Sequence, residues 1–317
     1  MSMIIETQNL TKKFGDFVAN NNINLQVGKQ EIKCIVGENG AGKSTLMNML
    51  YGVFRPTSGK ILLNGEELVM NSPTDAIRHG IGMVHQHFKL VPSFTVYENI
   101  LLGSEITKKG LIDRRKEIEK VKELIEQYHF QIDPMARIQD ISVGLCQQVE
   151  ILKMLYRNVD ILILDEPTAV LTPQEVDQLM ENLKVLRDQG KTIIVITHKL
   201  REVMYLSDSV TVIKSGQVIG NVKTQDTSET ELAQMMVGRD VVLTVKNEDG
   251  PAPNEEEAYR VENICTVNDA NQEILHNVSL SVRKGEVLGI AGVEGNGQSE
   301  LIKVLTGVMT VTKGRVV

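Results

Sequence analysis

Between the apolar run Ile32-Lys-Cys-Ile-Val36 and the helix-type segment Lys43 to Leu50 stands Gly37-Glu38-Asn39-Gly40-Ala41-Gly42-Lys43-Ser44-Thr45. This is G-x-x-x-x-G-K-[ST] in the one context that gives the pattern meaning, after a strand and at the opening of a helix. The glycines let the backbone wrap close to an anion, so that successive N–H groups and the helix N-terminus point at phosphate. Lys43 is placed to reach β- and γ-phosphates, and the Ser44 hydroxyl to hold Mg²⁺. Such a loop commits the chain to an α/β fold with ligand chemistry at the carboxyl ends of parallel strands.

Further runs fit that fold. Ile161-Leu-Ile-Leu164, Thr192-Ile-Ile-Val-Ile196 and Val210-Thr-Val-Ile213 read as strands, and they alternate with helical stretches such as Gln174 to Asp188. Residues from about 86 to 157 are helix-rich instead. In Arg114 to Tyr128, Ile118, Val121, Leu124 and Ile125 recur at helical spacing among charges, which predicts a helical insertion. The chain also repeats itself. Val27 to Leu62 realigns without a gap on Val282 to Val317, with 14 of 36 positions identical. The expected organisation is therefore a first domain over 1–240, an acidic linker over 241–258 rich in Pro and Gly, and the beginning of a second copy over 259–317.

Ile161-Leu-Ile-Leu-Asp165-Glu166 ends a buried strand in two adjacent carboxylates. Phosphoryl transfer needs one group for the metal and one to orient the nucleophile. Asp165 is the candidate for the Mg²⁺ shell and Glu166 for the attacking water. His198 closes the run Ile193-Ile-Val-Ile-Thr-His on what should be a neighbouring strand, placing it at the same ligand edge, where it is expected to contact the γ-phosphate and assist hydrolysis.

Composition removes several classes. A formal net charge of −7 gives no basic field for a nucleic acid backbone, so none is expected as partner. The start, Met1-Ser-Met-Ile-Ile-Glu-Thr-Gln8, lacks the basic and apolar regions of a secretory signal. No apolar run approaches the roughly 18 residues of a membrane span. Cys34, Cys146 and Cys265 have no metal-ligand spacing and read as free thiols, mostly core residues.

These motifs, together with Asp140-Ile-Ser-Val-Gly-Leu-Cys-Gln-Gln-Val149 shortly before Asp165, resemble the ABC ATPases. The resemblance implies a P-loop NTPase of ABC type with a parallel-rich sheet, an N-terminal antiparallel β region and a helical subdomain. It implies ATP and Mg²⁺ as cofactors. It makes Ser142, Val143 and Gly144 the signature loop that meets the γ-phosphate of ATP on a facing ATPase domain. Phe14 becomes the aromatic that stacks on adenine, Gln86 the link between Mg²⁺ and the membrane-facing groove, and Ala169 to Thr172 the loop touching the partner domain. A coupling element of a membrane subunit would dock near Gln86 to Gly103, where Phe94 to Gly103 reads as an exposed loop and a following helix.

Asp165-Glu-Pro-Thr-Ala-Val-Leu-Thr-Pro-Gln174 and Met235-Met-Val-Gly-Arg239 are similar to the duplicated ATPases of simple-sugar and nucleoside importers. Met83-Val-His-Gln-His-Phe88 and Gly292-Val-Glu-Gly-Asn-Gly-Gln-Ser-Glu300 resemble the nucleoside branch linked to basic membrane lipoproteins. The implied activity is ATP hydrolysis driving nucleoside import from the cytoplasmic face of the membrane. The implied partners are transmembrane permease subunits and, indirectly, an extracellular substrate-binding lipoprotein. A sugar importer and a cytosolic ABC protein acting on ribosomes or DNA are the alternatives. Two positions depart from the pattern: Leu145-Cys-Gln-Gln148 lacks the basic residue usual there, and Gln30 stands where the second copy has Gly285.

Overall fold

The computed structural model describes residues 2–86, 88–108, 110–238, 256–267, 272–292 and 296–317. The chain divides into two compact units, Met1–Leu243 and Thr244–Val317.

The first unit is organised by a six-stranded sheet in the order Gln217–Lys223, Ser209–Lys214, Ile32–Val36, Thr192–Ile196, Ile161–Asp165, Ile81–Val84. All neighbours are parallel except the first pair. Alternate residues serve two cores. Cys34, Leu162, Leu164, Ile193 and Val195 enter one, and Ile35, Ile161, Ile163, Ile194 and Ile196 the other. A sheet buried on both faces takes apolar residues at nearly every position, which is why these strands read as near-continuous apolar runs with Lys33, Thr192 and Thr211 as buried polar exceptions.

One face carries the helices Val143–Tyr156 and Pro173–Asp188 and the helical segment between the Gln86 loop and residue 157. In that segment Arg114–Gln127 buries Val121, Leu124 and Ile125, and Ile118 packs at the margin, as the spacing predicts. The helix Val96–Leu101 starts on a capping box between Thr95 and Glu98. Most of it is buried, so the surface of Phe94 to Gly103 is carried by Phe94, Leu102 and Gly103. The other face carries the helix Lys43–Leu50 and a five-stranded sheet, all antiparallel, built on Met3–Phe14. The strand and helix extents agree with the expected ones to within about one residue, the usual scatter at element ends. All three cysteines are free and buried, including Cys146 on a helix.

The second unit holds an antiparallel sheet in the order Glu273–Arg283, Glu257–Val267, Lys313–Val316 and the helix Gln298–Leu305, closed over Val261, Ile264, Leu275, Leu301 and Val304. Its first strand begins at Glu257, inside the stretch read as linker; the rest of that stretch to 255 lies outside the described residues. The repeat extends to the backbone. Asn22 and Asn277 both take positive φ, at 51° and 52°, as do Gln30 at 56° and Gly285 at 79°. Gln30 thus adopts the left-handed turn that the repeat assigns to glycine, at the cost usual for a side chain there.

One segment of the repeat differs. Ile32–Val36 lies fully buried between Thr192–Ile196 and Ser209–Lys214, whereas its counterpart is not a strand and exposes Val287, Leu288 and Ile290. No counterpart of either flanking strand occurs among the described residues of the second unit.

Candidate functional site

The phosphate loop leaves the central strand Ile32–Val36 and enters the helix Lys43–Leu50 through Gly42, whose φ of 100° only glycine adopts easily. Gly42 lies against the Ala19 carbonyl, and Asn20, fully buried, donates from Nδ2 to its carbonyl at 3.1 Å. Asn20 escaped the sequence reading because it belongs to a different sheet. Gly37 lies against the Ile213 carbonyl, with no room for a Cβ. Glu38, Asn39, Gly40 and Ser44 are exposed and form the open side of the loop; Ala41 is buried and Thr45 half-buried.

Lys43 is buried, and its Nζ donates to the carbonyls of Gly37 (2.8 Å) and Glu38 (2.9 Å). Burial holds its ammonium below the usual lysine value, with Glu166 and Asp165 pulling partly the other way. Asp165 shifts upward, first through burial and further through the Glu166 charge, against the Ser44 hydrogen bond and Lys43. The loop and the strand-end carboxylates are therefore one electrostatic unit.

Ser44 and Asp165 meet side chain to side chain. Two oxygen donors of this kind suit Mg²⁺, which keeps most of its shell for water and substrate phosphates. No group of three His, Cys, Asp or Glu able to hold a metal by itself occurs among the described residues.

Glu166 sits at φ 46°, left-handed for a side chain that disfavours it. Its N–H donates to the Ile196 carbonyl at 2.9 Å, and its Oε1 lies 3.1 Å from His198 Nδ1. The parallel pairing of Ile161–Asp165 with Thr192–Ile196 brings both residues to one edge. Behind them Lys199 Nζ donates to the Thr168 carbonyl at 2.9 Å, and Thr168 Oγ1 to Glu202 at 2.7 Å.

Gln86 is exposed just beyond Ile81–Val84, the strand adjoining Ile161–Asp165; His87 lies outside the described residues. Three residues after Gln86, Lys89 is gripped by two buried side chains of the helix Val143–Tyr156. Its N–H donates to Glu150 Oε1 at 2.7 Å, and its carbonyl accepts from Lys153 Nζ at 3.3 Å. Ser142 caps that same helix, accepting from Leu145 N at 3.3 Å; Val143 beside it is exposed and Gly144 is buried. Gln148, where a basic residue is usual, buries Oε1 without a hydrogen-bond partner among the described residues.

Phe14 is 45% exposed, open enough to stack on a base. Phe54 stands edge-on to it at 5.4 Å, a neighbour that sequence spacing does not disclose, and Lys12, two residues earlier on the same strand, brings its Nζ to 5.0 Å from the ring centre.

The chain resembles several known proteins over its whole length. It is 50% identical over 316 residues to the guanosine import ATP-binding protein NupO of Bacillus subtilis (strain 168), covering 100% of this chain and 62% of that protein. It is 47% identical over 313 residues to the nucleoside import ATP-binding protein NupA of Lactococcus lactis subsp. cremoris (strain MG1363), covering 99% and 62%. The glucose import ATP-binding protein TsgD13 of Haloferax volcanii is 46% identical, with 98% and 61% covered. The chain thus spans about three fifths of the length of these relatives.

Among solved structures, the ADP conformation of MJ1267, an ATP-binding cassette of an ABC transporter, matches with a TM-score of 0.67 at 25% identity, covering 75% of this chain and all of that one. The dimeric post-hydrolysis state of the cassette MJ0796 bound to ADP and Pi matches with a TM-score of 0.59 at 25% identity, covering 70% and 99%. The family described as ABC transporter matches residues 20–169 and 275–317, spanning the phosphate loop, the Ser142 cap and the Asp165-Glu166 edge, and the chain belongs to that family.

Proposed function

We propose that this chain binds Mg-ATP on Gly37 to Thr45 and hydrolyses it to drive solute import. Lys43 and Ser44 serve the phosphates, Ser44 and Asp165 with Gln86 the Mg²⁺ shell, and Phe14 the adenine. Glu166 orients the attacking water, and His198 holds the Glu166 carboxylate at the ligand edge. Mg²⁺ supplies charge neutralisation on the β- and γ-phosphates.

The observation that carries this reading is Glu166 itself. A side chain held at positive φ costs about 1–3 kcal/mol and persists where its surroundings enforce it, typically at reacting centres. Here the enforcement is visible as the backbone bond to Ile196 and the contact with His198. Closure of a facing ATPase domain, its signature loop Ser142-Val143-Gly144 over the bound nucleotide, turns ATP binding into movement through differential affinity for open and closed states. The dimeric form of MJ0796 supports such a pairing.

We take nucleosides as the solute, passed through permease subunits from an extracellular binding lipoprotein at the cytoplasmic face of a membrane. The names of two relatives at 50% and 47% identity support this choice, and TsgD13 supports sugar import as the second reading. No helix among the described residues is long and apolar enough to cross a membrane, so the membrane path is assigned to other subunits.

Glu166→Gln tests the chemistry. Mg-ATP should stay bound while phosphate release falls on the order of 10²–10⁴-fold, the range for losing a positioned base. Turnover within about twofold of the parent would refute the assignment. Uptake of labelled guanosine against labelled ribose by vesicles carrying the co-purified membrane subunits tests the solute.

A further inference from the structure

One carboxylate holds two loops. Glu175 is the third residue of the helix Pro173–Asp188, and its Oε2 accepts from Thr172 N and Thr172 Oγ1, both at 3.0 Å. With the return bond from Glu175 N to Thr172 Oγ1 at 3.4 Å this is a capping box, a local device for starting a helix. Capping does not account for the other oxygen. Glu175 Oε1 accepts from Ser142 Oγ at 2.8 Å and from Gly144 N at 3.1 Å, the N-cap and first turn of the helix Val143–Tyr156.

The fit is close. A Cβ on Gly144 would stand 2.6 Å from Glu175 Cδ, so the carboxylate reaches this place because residue 144 has no side chain. Burial opposes the charge, but the donors from Thr172, Ser142 and Gly144 outweigh it and hold Glu175 below the usual carboxylate range. Ser142 has a single hydroxyl proton, which goes to Glu175 while Oγ accepts from Leu145 N. The hydroxyl therefore keeps one orientation until another acceptor takes its proton.

We infer that Glu175 is a positioning residue that ties the Ser142-Val143-Gly144 segment to the Ala169–Thr172 loop, so that the segment meeting a partner domain's nucleotide and the loop touching that domain move as one. This rests on the reading of Ser142 to Gly144 as the loop that meets ATP across a domain pair. Rigid coupling matters because a misplacement of about 1 Å at a reacting centre costs on the order of 100-fold in rate.

The test uses the full chain with Glu175→Ala, Glu175→Gln and Ser142→Ala. It reads phosphate release, affinity for trinitrophenyl-ATP, thermal unfolding, and amide exchange over 142–145 and 169–172. Glu175→Ala should lower kcat roughly 10- to 100-fold while analogue affinity stays within about twofold, because the Lys43 loop is untouched. Exchange should quicken in both loops together. Glu175→Gln keeps one acceptor oxygen and turns an NH₂ toward donors on the other side, so exchange should quicken in one loop alone, with a smaller loss of rate.

If Ser142→Ala lowers turnover but Glu175→Ala does not, the coupling is wrong and the loop assignment stands. If Ser142→Ala leaves turnover unchanged, the loop assignment fails and takes the coupling with it. If Glu175→Ala loses turnover, affinity and thermal stability in parallel, Glu175 is a helix cap and nothing more, which also overturns the inference.

Discussion

Replacing Gly42 by alanine should destabilise the first unit by an amount that its surroundings set. The backbone at Gly42 has φ 100° and ψ 6°, and an L-residue held left-handed costs roughly 1–2 kcal/mol. The added Cβ would lie 2.5 Å from the Ala19 carbonyl oxygen and 2.8 Å from Asn20 Nδ2. Neither neighbour yields cheaply: one is backbone, and the other is a fully buried amide already donating to Gly42. Overpacking of this kind costs about 1–3 kcal/mol, so the two effects together come to about 2–5 kcal/mol. Gly40 is the control. Its φ is +80° but nothing lies within 4 Å of its Cβ position, so Gly40→Ala should carry only the conformational part, about 1–2 kcal/mol. Urea unfolding followed by far-UV circular dichroism measures both, and all described helices but one belong to the first unit. Equal losses for the two substitutions, within about 0.5 kcal/mol, would mean that the loop does not press on Ala19 and Asn20 as described.

Two further outcomes follow from the charges around the loop. Asp165→Asn should raise the urea midpoint of the nucleotide-free chain near neutral pH while abolishing turnover, because burial has pushed the Asp165 carboxyl up. Its ionisation opposes folding above the folded-state pKa and not below the ordinary carboxylate value of about 4, so the advantage of asparagine should fade as pH falls through that window. A gap independent of pH would contradict this. The second concerns Gln298, which stands where the repeat places Lys43 and whose neutral amide cannot balance phosphate charge. Lys43→Ala should abolish phosphate release and Gln298→Ala should leave it within about twofold; equal losses would remove the asymmetry between the loops.

What could be read from the residues in order was whatever neighbours in sequence decide. The loop Gly37 to Thr45, the strand ending in Asp165-Glu166 and the face Val121, Leu124, Ile125 are set by local spacing, and each is found where that spacing puts it. Even the odd turn at Gln30 was legible, because the repeat supplied Gly285 as its counterpart. Contacts made across the sheets were not. Nothing near Phe14 in sequence names Phe54, and nothing near Gly42 names Asn20, since in both pairs the partners lie more than a full turn or strand apart.

Glu175 lies on the boundary between the two kinds of information. Thr172-Pro-Gln-Glu175 is legible as a capping box, and that pattern assigns one of the carboxylate's oxygens correctly. The other oxygen is assigned by packing. The helices Val143–Tyr156 and Pro173–Asp188 cover the same face of the central sheet, and their N-terminal ends meet closely enough for one carboxylate to serve both. A local rule thus fixed where Glu175 begins its helix, and the topology of the sheet fixed what else it holds. The same division explains the strain at Glu166: the Asp-Glu pair announces itself in the sequence, but the left-handed backbone arises only when Ile196 and His198 arrive from the adjoining strand.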